Sequence, residues 1–420
     1  MIKEKLLTTT EISKYCSVTT ETVANWIKSG KLKASVTPGK RYRIRVGDFI
    51  DFLNSLGMPI PDEFKDLSKK EKESGDTFPM FERILPKKNL QQFIDKLKEK
   101  AKIFAPIAKG KNFVFDEVSN AKKIRFDYIT TIIPPKRFFI PSQETLLKFN
   151  VEKFNVEEIV PSKEEIILLG VHPCDMQGIL RLDYAFSKGN PESIYLSRRE
   201  KSTIIGVTCN PDEYCFCNSV GTNDSEKGFD LFFADIGQSF LVKILSDKGK
   251  KLIAQVETFD VTDIDRDEAK RAIARCSDLK GKQIETAVEN LPLLCRNGES
   301  SPMWDDVGKK CLSCGTCNLV CPTCYCFDVR DDVELSFKQG VRERFWDSCQ
   351  LEEFAQVATG ESFREDRKNR QKHRFYRKYR YLMPEYGSPF CVGCGRCNRQ
   401  CVAKINIVEI ANELTKGIMV

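Results

Sequence analysis

Residues 311–329 read CLSCGTCNLVCPTCYCFDV, and residues 391–401 read CVGCGRCNRQC. Each stretch holds Cys-x2-Cys-x2-Cys-x3-Cys: Cys311, Cys314, Cys317 and Cys321 in the first, Cys391, Cys394, Cys397 and Cys401 in the second. A loop with this spacing curls so that three thiolates reach three iron corners of a cubane, while the fourth thiolate comes from elsewhere. In two-cluster ferredoxins that distant ligand is the last Cys of the opposite run. The spacing therefore predicts two 4Fe-4S clusters, one on Cys311, Cys314, Cys317 and Cys401, the other on Cys391, Cys394, Cys397 and Cys321. Zinc knuckles and disulfides are the competing readings, but tetrahedral zinc sites favour two paired ligands over a triple run.

Composition agrees with an iron-sulfur protein. Eighteen Cys in 420 residues would be a disulfide framework in a small secreted domain, yet this chain is long enough for several ordinary cores. Met1 to Lys5 lead into Thr-rich polar sequence rather than an apolar leader, and no run reaches the length of a membrane span, so a cytoplasmic protein is expected. Two His supply little for haem, mononuclear zinc or imidazole acid/base chemistry. A net charge of +7 is mild and matters only where it concentrates.

Working outward, the chain divides into a multidomain α+β arrangement. Residues 1–56 carry ten Lys/Arg against five Asp/Glu and read helix, turn, helix, hairpin, helix. Thr9 or Thr10 is expected to cap the first helix, and Val18-Thr19-Thr20 the second, with Gly30 as its stop. Pro38-Gly39-Lys40 looks like the tip of a wing. Residues 57–78, rich in charge and Pro, read as a tether. Residues 79–268 alternate strand-like and helix-like runs as a central α/β domain, and residues 269–420 form a two-cluster ferredoxin-like domain. A helical insertion between Cys321 and Cys391 includes RERFWDSCQLEEFAQVATG, helical in pattern, and a dense basic run from Arg364 to Arg380.

In the central domain, EEIILLGVHPCDMQGI and STIIGVTCNPDEYCFC each place a β-branched run before a Cys-bearing loop. A βαβ unit with parallel strands gathers such loops in one crevice. Cys174, Cys209, Cys215 and Cys217 thus form a candidate set for a third 4Fe-4S cluster, against the alternative of buried thiols acting as small hydrophobes. His172, in the same loop, is either a turn residue or a hydrogen-bond donor that tunes a cluster. Cys324, Cys326 and Cys349 lack a fourth thiolate unless Cys276 or Cys295 is brought near, and read as structural. Cys16 reads as core.

PPKRFFIPSQETLLKF (134–149), GVHPCD (170–175), CFCNSVG (215–221), the 311–329 stretch, WDSC (346–349) and the 391–401 stretch together resemble the beta subunit of sulfhydrogenases and the A subunit of anaerobic sulfite reductase. That family consists of 4Fe-4S dicluster electron-transfer proteins. The resemblance spans about four fifths of the chain. It implies a subunit that relays electrons between a flavin-bearing, NAD(P)H- or ferredoxin-linked partner and a catalytic partner in a hetero-oligomeric oxidoreductase complex. It does not imply that this chain reduces sulfite or evolves hydrogen. The run at 364–380 reads either as a solvated helix face or as positive charge that compensates cluster and thiolate charge and docks an acidic partner; because a similar basic stretch precedes the second Cys run in the family, partner docking is favoured. Phe375, Tyr376 and Tyr379 within it invite a nucleic-acid reading as well. Val402 replaces a Pro after the second run, and residues 1–56 depart from the family pattern altogether.

Those first residues resemble the winged helix-turn-helix of the excisionase and MerR-like family, carried by WIKSGKL and RYRI. The second helix would offer Thr20, Thr22 and Asn25 to bases, with Lys28, Lys31, Lys33, Arg41 and Arg43 for phosphates. A protein-docking module is the alternative. No G-x-G-x-x-G or G-x4-G-K-[ST] stretch is present, so catalysis is expected on partners. The expected function is an iron-sulfur electron-transfer subunit; a redox-responsive DNA-binding regulator is the alternative.

Overall fold

A computed structural model describes residues 6–16, 18–29, 31–36, 42–55, 81–159, 164–223 and 226–416. Gly30, the wing tip at 38–40, Arg41 and the tether at 57–78 lie outside them. The chain separates into two compact units, Met1–Pro79 and Met80–Val420.

In the first unit, α1 (Thr9–Tyr15) is capped by Thr8 rather than Thr9 or Thr10. Thr8 accepts from the Glu11 backbone while the Glu11 carboxylate accepts from Thr8, a reciprocal box that fixes the start one residue earlier. Thr19 caps α2 (Thr20–Lys28), as the turn sequence predicts. β1 (Leu6–Leu7), absent from the sequence reading, pairs with β3 (Tyr42–Arg45), which also pairs antiparallel with β2 (Ser35–Val36). α3 (Val46–Ser55) closes the unit. Leu7, Ile12, Cys16, Val23, Leu32, Ile44 and Phe49 form its core, and Trp26 packs on Phe52 at 4.9 Å between ring centroids.

The second unit is built on a seven-stranded sheet in the order β4 (Phe81–Pro86), β12 (Ser239–Ile244), β11 (Leu231–Asp235), β10 (Ser202–Val207), β9 (Ile166–Val171), β5 (Lys102–Lys109), β6 (Asn112–Glu117). The four adjacent strands β5, β9, β10 and β11 run parallel, and antiparallel pairings, β5 with β6 and β11 with β12 with β4, extend the sheet on both sides. β9 and β10 are buried nearly end to end because helices and loops cover both faces, which is why they read as unbroken apolar runs. The helix Pro173–Ser187 connects them, so the expected βαβ unit is present.

A second sheet runs β13 (Phe327–Val333), β14 (Gln339–Trp346), β7 (Gln143–Asn150), β8 (Asn155–Glu158). It draws two strands from each side of residue 268. RERFW is therefore strand rather than helix. The inward positions of β14 are filled by Gly340 and Arg344, and the Arg344 guanidinium is paired with the buried Glu144 carboxylate of β7 at 2.9 Å. The insertion between the Cys runs starts as this hairpin and ends in the helix Arg367–Tyr379. Phe375, Tyr376 and Tyr379 from that helix pack with Trp304, Ile407, Ile410 and Leu414 in a C-terminal core.

Candidate iron-sulfur site

Both Cys runs fold alike. Gly315 and Gly395 take left-handed backbone (φ 74° and 70°) and start short helices, Thr316–Leu319 and Arg396–Gln400, which pack against each other. The carbonyls of Gly315 and Gly395 accept from the backbone of Asn318 and Asn398 at 2.9 and 3.1 Å.

Cys311, Cys314 and Cys317 line one cavity, and Cys401, from the far run, lines it with them; Gln350, Gln371, Arg374 and Cys397 are also in its wall. Cys321 lies in the electrostatic field of Cys391, Cys394 and Cys397. Cys401 is thus placed beside the first triplet and Cys321 near the second. Among the described residues no three His, Cys, Asp or Glu side chains close on a single ion. Sulfurs spread round a cavity suit a polynuclear cluster better than a zinc ion.

Charge around the thiols is supplied from within. Burial pushes the Cys317 and Cys394 thiols up to about 11, so ionisation needs cationic partners or metal. The basic run provides cations. Gln371 donates from Nε2 to Cys311 Sγ at 2.9 Å. Arg374 is buried in the field of Cys317, Cys397, Cys324 and Cys321, whose negative charge holds its guanidinium protonated. Lys378 faces Cys321, Cys324 and Cys391. Lys136, from the PPKRFF stretch, reaches the Cys324 carbonyl at 2.8 Å. Arg374 and Lys378 thus turn inward as the charge-compensating part of the run, while Arg364, Arg367, Lys368, Lys372, Arg377 and Arg380 stay partly or fully exposed. Its aromatic rings are core side chains and are not offered to bases.

The strand-end loops meet the second run. Phe216 donates its backbone N–H to Gly393 O at 2.8 Å, and a Cβ on Gly393 would stand 2.4 Å from Cys217 Cα, so only glycine fits there. Arg396 and Asp175 form a buried two-bond ion pair at 2.6 and 2.7 Å, and Arg396 also donates to Thr131 O at 2.8 Å. These clamps tie the loop after β10 and the start of the helix after β9 to the ferredoxin-like part.

Of the third-cluster set, Cys174, Cys209 and Cys217 share one electrostatic neighbourhood, with Cys394 beside Cys174 and Cys217. Cys276, at the end of the helix Asp263–Arg275, joins them: its sulfur accepts from Cys209 N at 3.2 Å. Cys215 turns instead to the Asp212 carboxylate, 3.4 Å from its sulfur. Sequence reasoning missed this position for Cys276 because nothing in a helix C-terminus marks a ligand. His172 stacks on Tyr128 at 3.9 Å; burial and Arg396 pull its imidazole down to about 3, so it is neutral. Its Nε2 has no hydrogen-bond partner among the described residues. Cys295 is buried in the C-terminal core, where burial raises its thiol to about 12.

Cys324, Cys326 and Cys349 converge on a separate cavity of about 340 Å³. Neither Cys276 nor Cys295 lines it. Hydrogen bonds from Cys326, Gln350 and Asn318 hold the Cys349 thiol below its ordinary value.

On the first unit, Thr20, Asn25, Lys28, Lys31 and Lys33 are exposed. Thr22 is half-buried, and its hydroxyl shares a hydrogen bond with Thr19 Oγ1 at 3.0 Å. Arg43 Nη1 donates to Tyr42 O at 3.0 Å.

This combination of fold and site defines a 4Fe-4S dicluster protein with a helix-turn-helix module. Residues 310–405 match the family model described as a 4Fe-4S dicluster domain, and residues 6–57 one described as a helix-turn-helix domain. Sulfhydrogenase 2 subunit beta of Pyrococcus furiosus is 35% identical over 330 residues, 78% of this chain and 96% of that protein. The chain belongs to the sulfhydrogenase beta-subunit family and is an iron-sulfur electron-transfer subunit. No solved structure matches it. Among the described residues no helix is long and apolar enough to cross a membrane.

Proposed function

We propose that the chain relays electrons within a cytoplasmic, anaerobic, hetero-oligomeric complex, between a flavin-bearing NAD(P)H- or ferredoxin-linked partner and a catalytic oxidoreductase partner. The observation that carries the reading is the shared cavity of Cys311, Cys314, Cys317 and Cys401. These four hold one 4Fe-4S cluster, and Cys391, Cys394, Cys397 and Cys321 the other. When bound, such clusters supply one-electron transfer at potentials set by charge, burial and hydrogen bonds to sulfur. The chain's own residues set those terms. Gln371 donates to a ligand sulfur, Arg374 and Lys378 offset thiolate charge, and the C-terminal aromatic core excludes water. Cys174, Cys209, Cys217 and Cys276 are the better four-thiol set for a third cluster, in place of the set containing Cys215.

EPR of single variants tests the exchanged ligation. Cys401→Ala is expected to remove the signal lost in Cys314→Ala; matching the Cys394→Ala spectrum instead would refute it. A second reading, a redox-responsive DNA-binding regulator, draws support from exposed Asn25, Lys28, Lys31 and Lys33. It requires a specific duplex bound with strongly salt-dependent affinity.

A further inference from the structure

The cavity bordered by Cys324, Cys326 and Cys349 is not used by the two-cluster arrangement. Its wall also carries His373, Arg374, Arg377 and Lys378, and no Asp or Glu. Soft sulfur nucleophiles face an interior that is positive in three places. Such a wall selects an anion that reacts with thiols.

Two of the three thiols form a pair. β13 and β14 are in register at Phe327 and Trp346, and Asp347 N donates to Cys326 O at 3.0 Å, so Cys326 and Cys349 both stand at the open end of this hairpin. The Cys326 thiol hydrogen-bonds to Cys349. Thiols in such contact suit disulfide closure more than a cubane, whose ligand sulfurs stand apart on different irons. The pair is also connected to the ligand sets. Asn318 donates from Nδ2 to Cys349 Sγ at 3.0 Å, and its Oδ1 lies 3.4 Å from Cys317 Sγ. Cys324, three residues past Cys321, hydrogen-bonds to that ligand's sulfur.

We propose that Cys326 and Cys349 are a redox-active dithiol, closing to a disulfide at the wall of this cavity, and that the cavity admits small anionic disulfides for exchange with it. One thiolate of the pair attacks the substrate's S–S bond, releases one RS⁻ and leaves a mixed disulfide. The second cysteine displaces the other RS⁻, to which its proton passes, and the Cys326–Cys349 bond forms. Two electrons and two protons restore the dithiol. The electrons come singly from the two cluster sites, a supply that rests on the electron-transfer reading above, and the protons come from solvent. The site would thus join one-electron carriers to a two-electron sulfur reaction.

The test uses full-length, cluster-loaded protein, reduced anaerobically and freed of reductant, then exposed to dithiodiglycolate, a dianion, or to neutral 2-hydroxyethyl disulfide. Alkylation and peptide mapping follow the cysteines, with iron content and EPR read on the same samples. A Cys326–Cys349 bridge is expected, forming about tenfold faster with the dianion at low salt, an advantage reduced in Arg377→Gln. Cys349→Ser should keep its iron and cluster signals but form no internal bridge. The proposal is overturned if both thiols stay alkylable, if they pair elsewhere, or if Cys349→Ser loses iron, since the thiols would then be metal ligands. Equal rates for the two probes would overturn the anion site. Protein that takes up no iron on anaerobic reconstitution yet forms the bridge would sink the dicluster reading and leave the dithiol standing.

Discussion

Arg396, between the second and third Cys of the second run, is locked to Asp175 in the first turn of the helix Pro173–Ser187 by two hydrogen bonds at 2.6 and 2.7 Å, with both side chains buried. Breaking one half strands a charge in the interior, which costs about 3–5 kcal/mol, whereas replacing both partners by apolar groups costs far less. Asp175→Ala is therefore expected to lower the anaerobic urea midpoint sharply and to disturb the EPR signal lost in Cys394→Ala. An Asp175→Leu and Arg396→Met double variant should recover most of the midpoint. A single variant as stable as the parent would remove the clamp from the argument.

Gln371 donates to Cys311 Sγ at 2.9 Å. A hydrogen bond to a ligand sulfur favours the more negative, reduced cluster, so its loss lowers the potential. If the reduced state loses ~1 kcal/mol more than the oxidised one, the shift is about −40 mV for one electron. Redox titration of Gln371→Leu should show that displacement in only one of the two signals. An unchanged potential would assign the contact to packing alone.

The third thiol set separates Cys276 from Cys215. Anaerobically reconstituted protein should hold about twelve iron atoms per chain with a third cubane and about eight without one. Cys276→Ser is expected to lose about four, while Cys215→Ser, whose thiol turns to Asp212, should lose none. The opposite pattern would restore the set containing Cys215.

What could be read in the chain depended on whether the signal was local. The two Cys runs were legible as a dicluster pattern because three thiols of each sit on one curled loop, and β9 and β10 because their burial needs unbroken apolar runs. Cys276 was hidden because its partners lie 59 to 102 residues away, at Cys217, Cys209 and Cys174. β14 was misread because its inward positions hold Gly340 and Arg344, which erases the apolar alternation. The basic run was legible as charge compensation, but not which of its residues turn inward. Lysines and arginines normally mark solvent, yet here a concentration of sulfur charge makes burial of Arg374 and Lys378 tolerable.

Both His of the chain are held neutral by burial, His172 at about 3 and His373 at about 4, against about 6.5 when unfolded. Between those values the unfolded chain binds more protons than the folded one, so acidification favours unfolding. This stability is complete above about pH 6.5 and is lost as pH falls through the window towards 4. His373→Gln should flatten the slope of unfolding free energy between pH 5 and 7 relative to the parent. An identical slope would show that His373 does not contribute.

The helix-turn-helix unit offers the last test. Its core of Leu7, Ile12, Val23, Ile44 and Phe49 is its own, and the described cysteine in it, Cys16, is a buried core side chain rather than a member of either Cys run. Residues 80–420 form a separate compact unit containing every thiol assigned above to iron. Removing residues 1–79 is therefore expected to leave iron content, EPR signals and reduction by a low-potential donor unchanged. The missing function should appear in binding. If the module reads DNA, full-length protein will select a particular duplex with a steep salt dependence, and Asn25→Ala will relax that preference, because an Asn side chain pairs with the adenine edge. If it docks a protein, all duplexes will bind alike and weakly, while truncation will release a partner subunit from the purified complex. Loss of iron on truncation would show that the first unit is required by the second, contrary to the division of the fold.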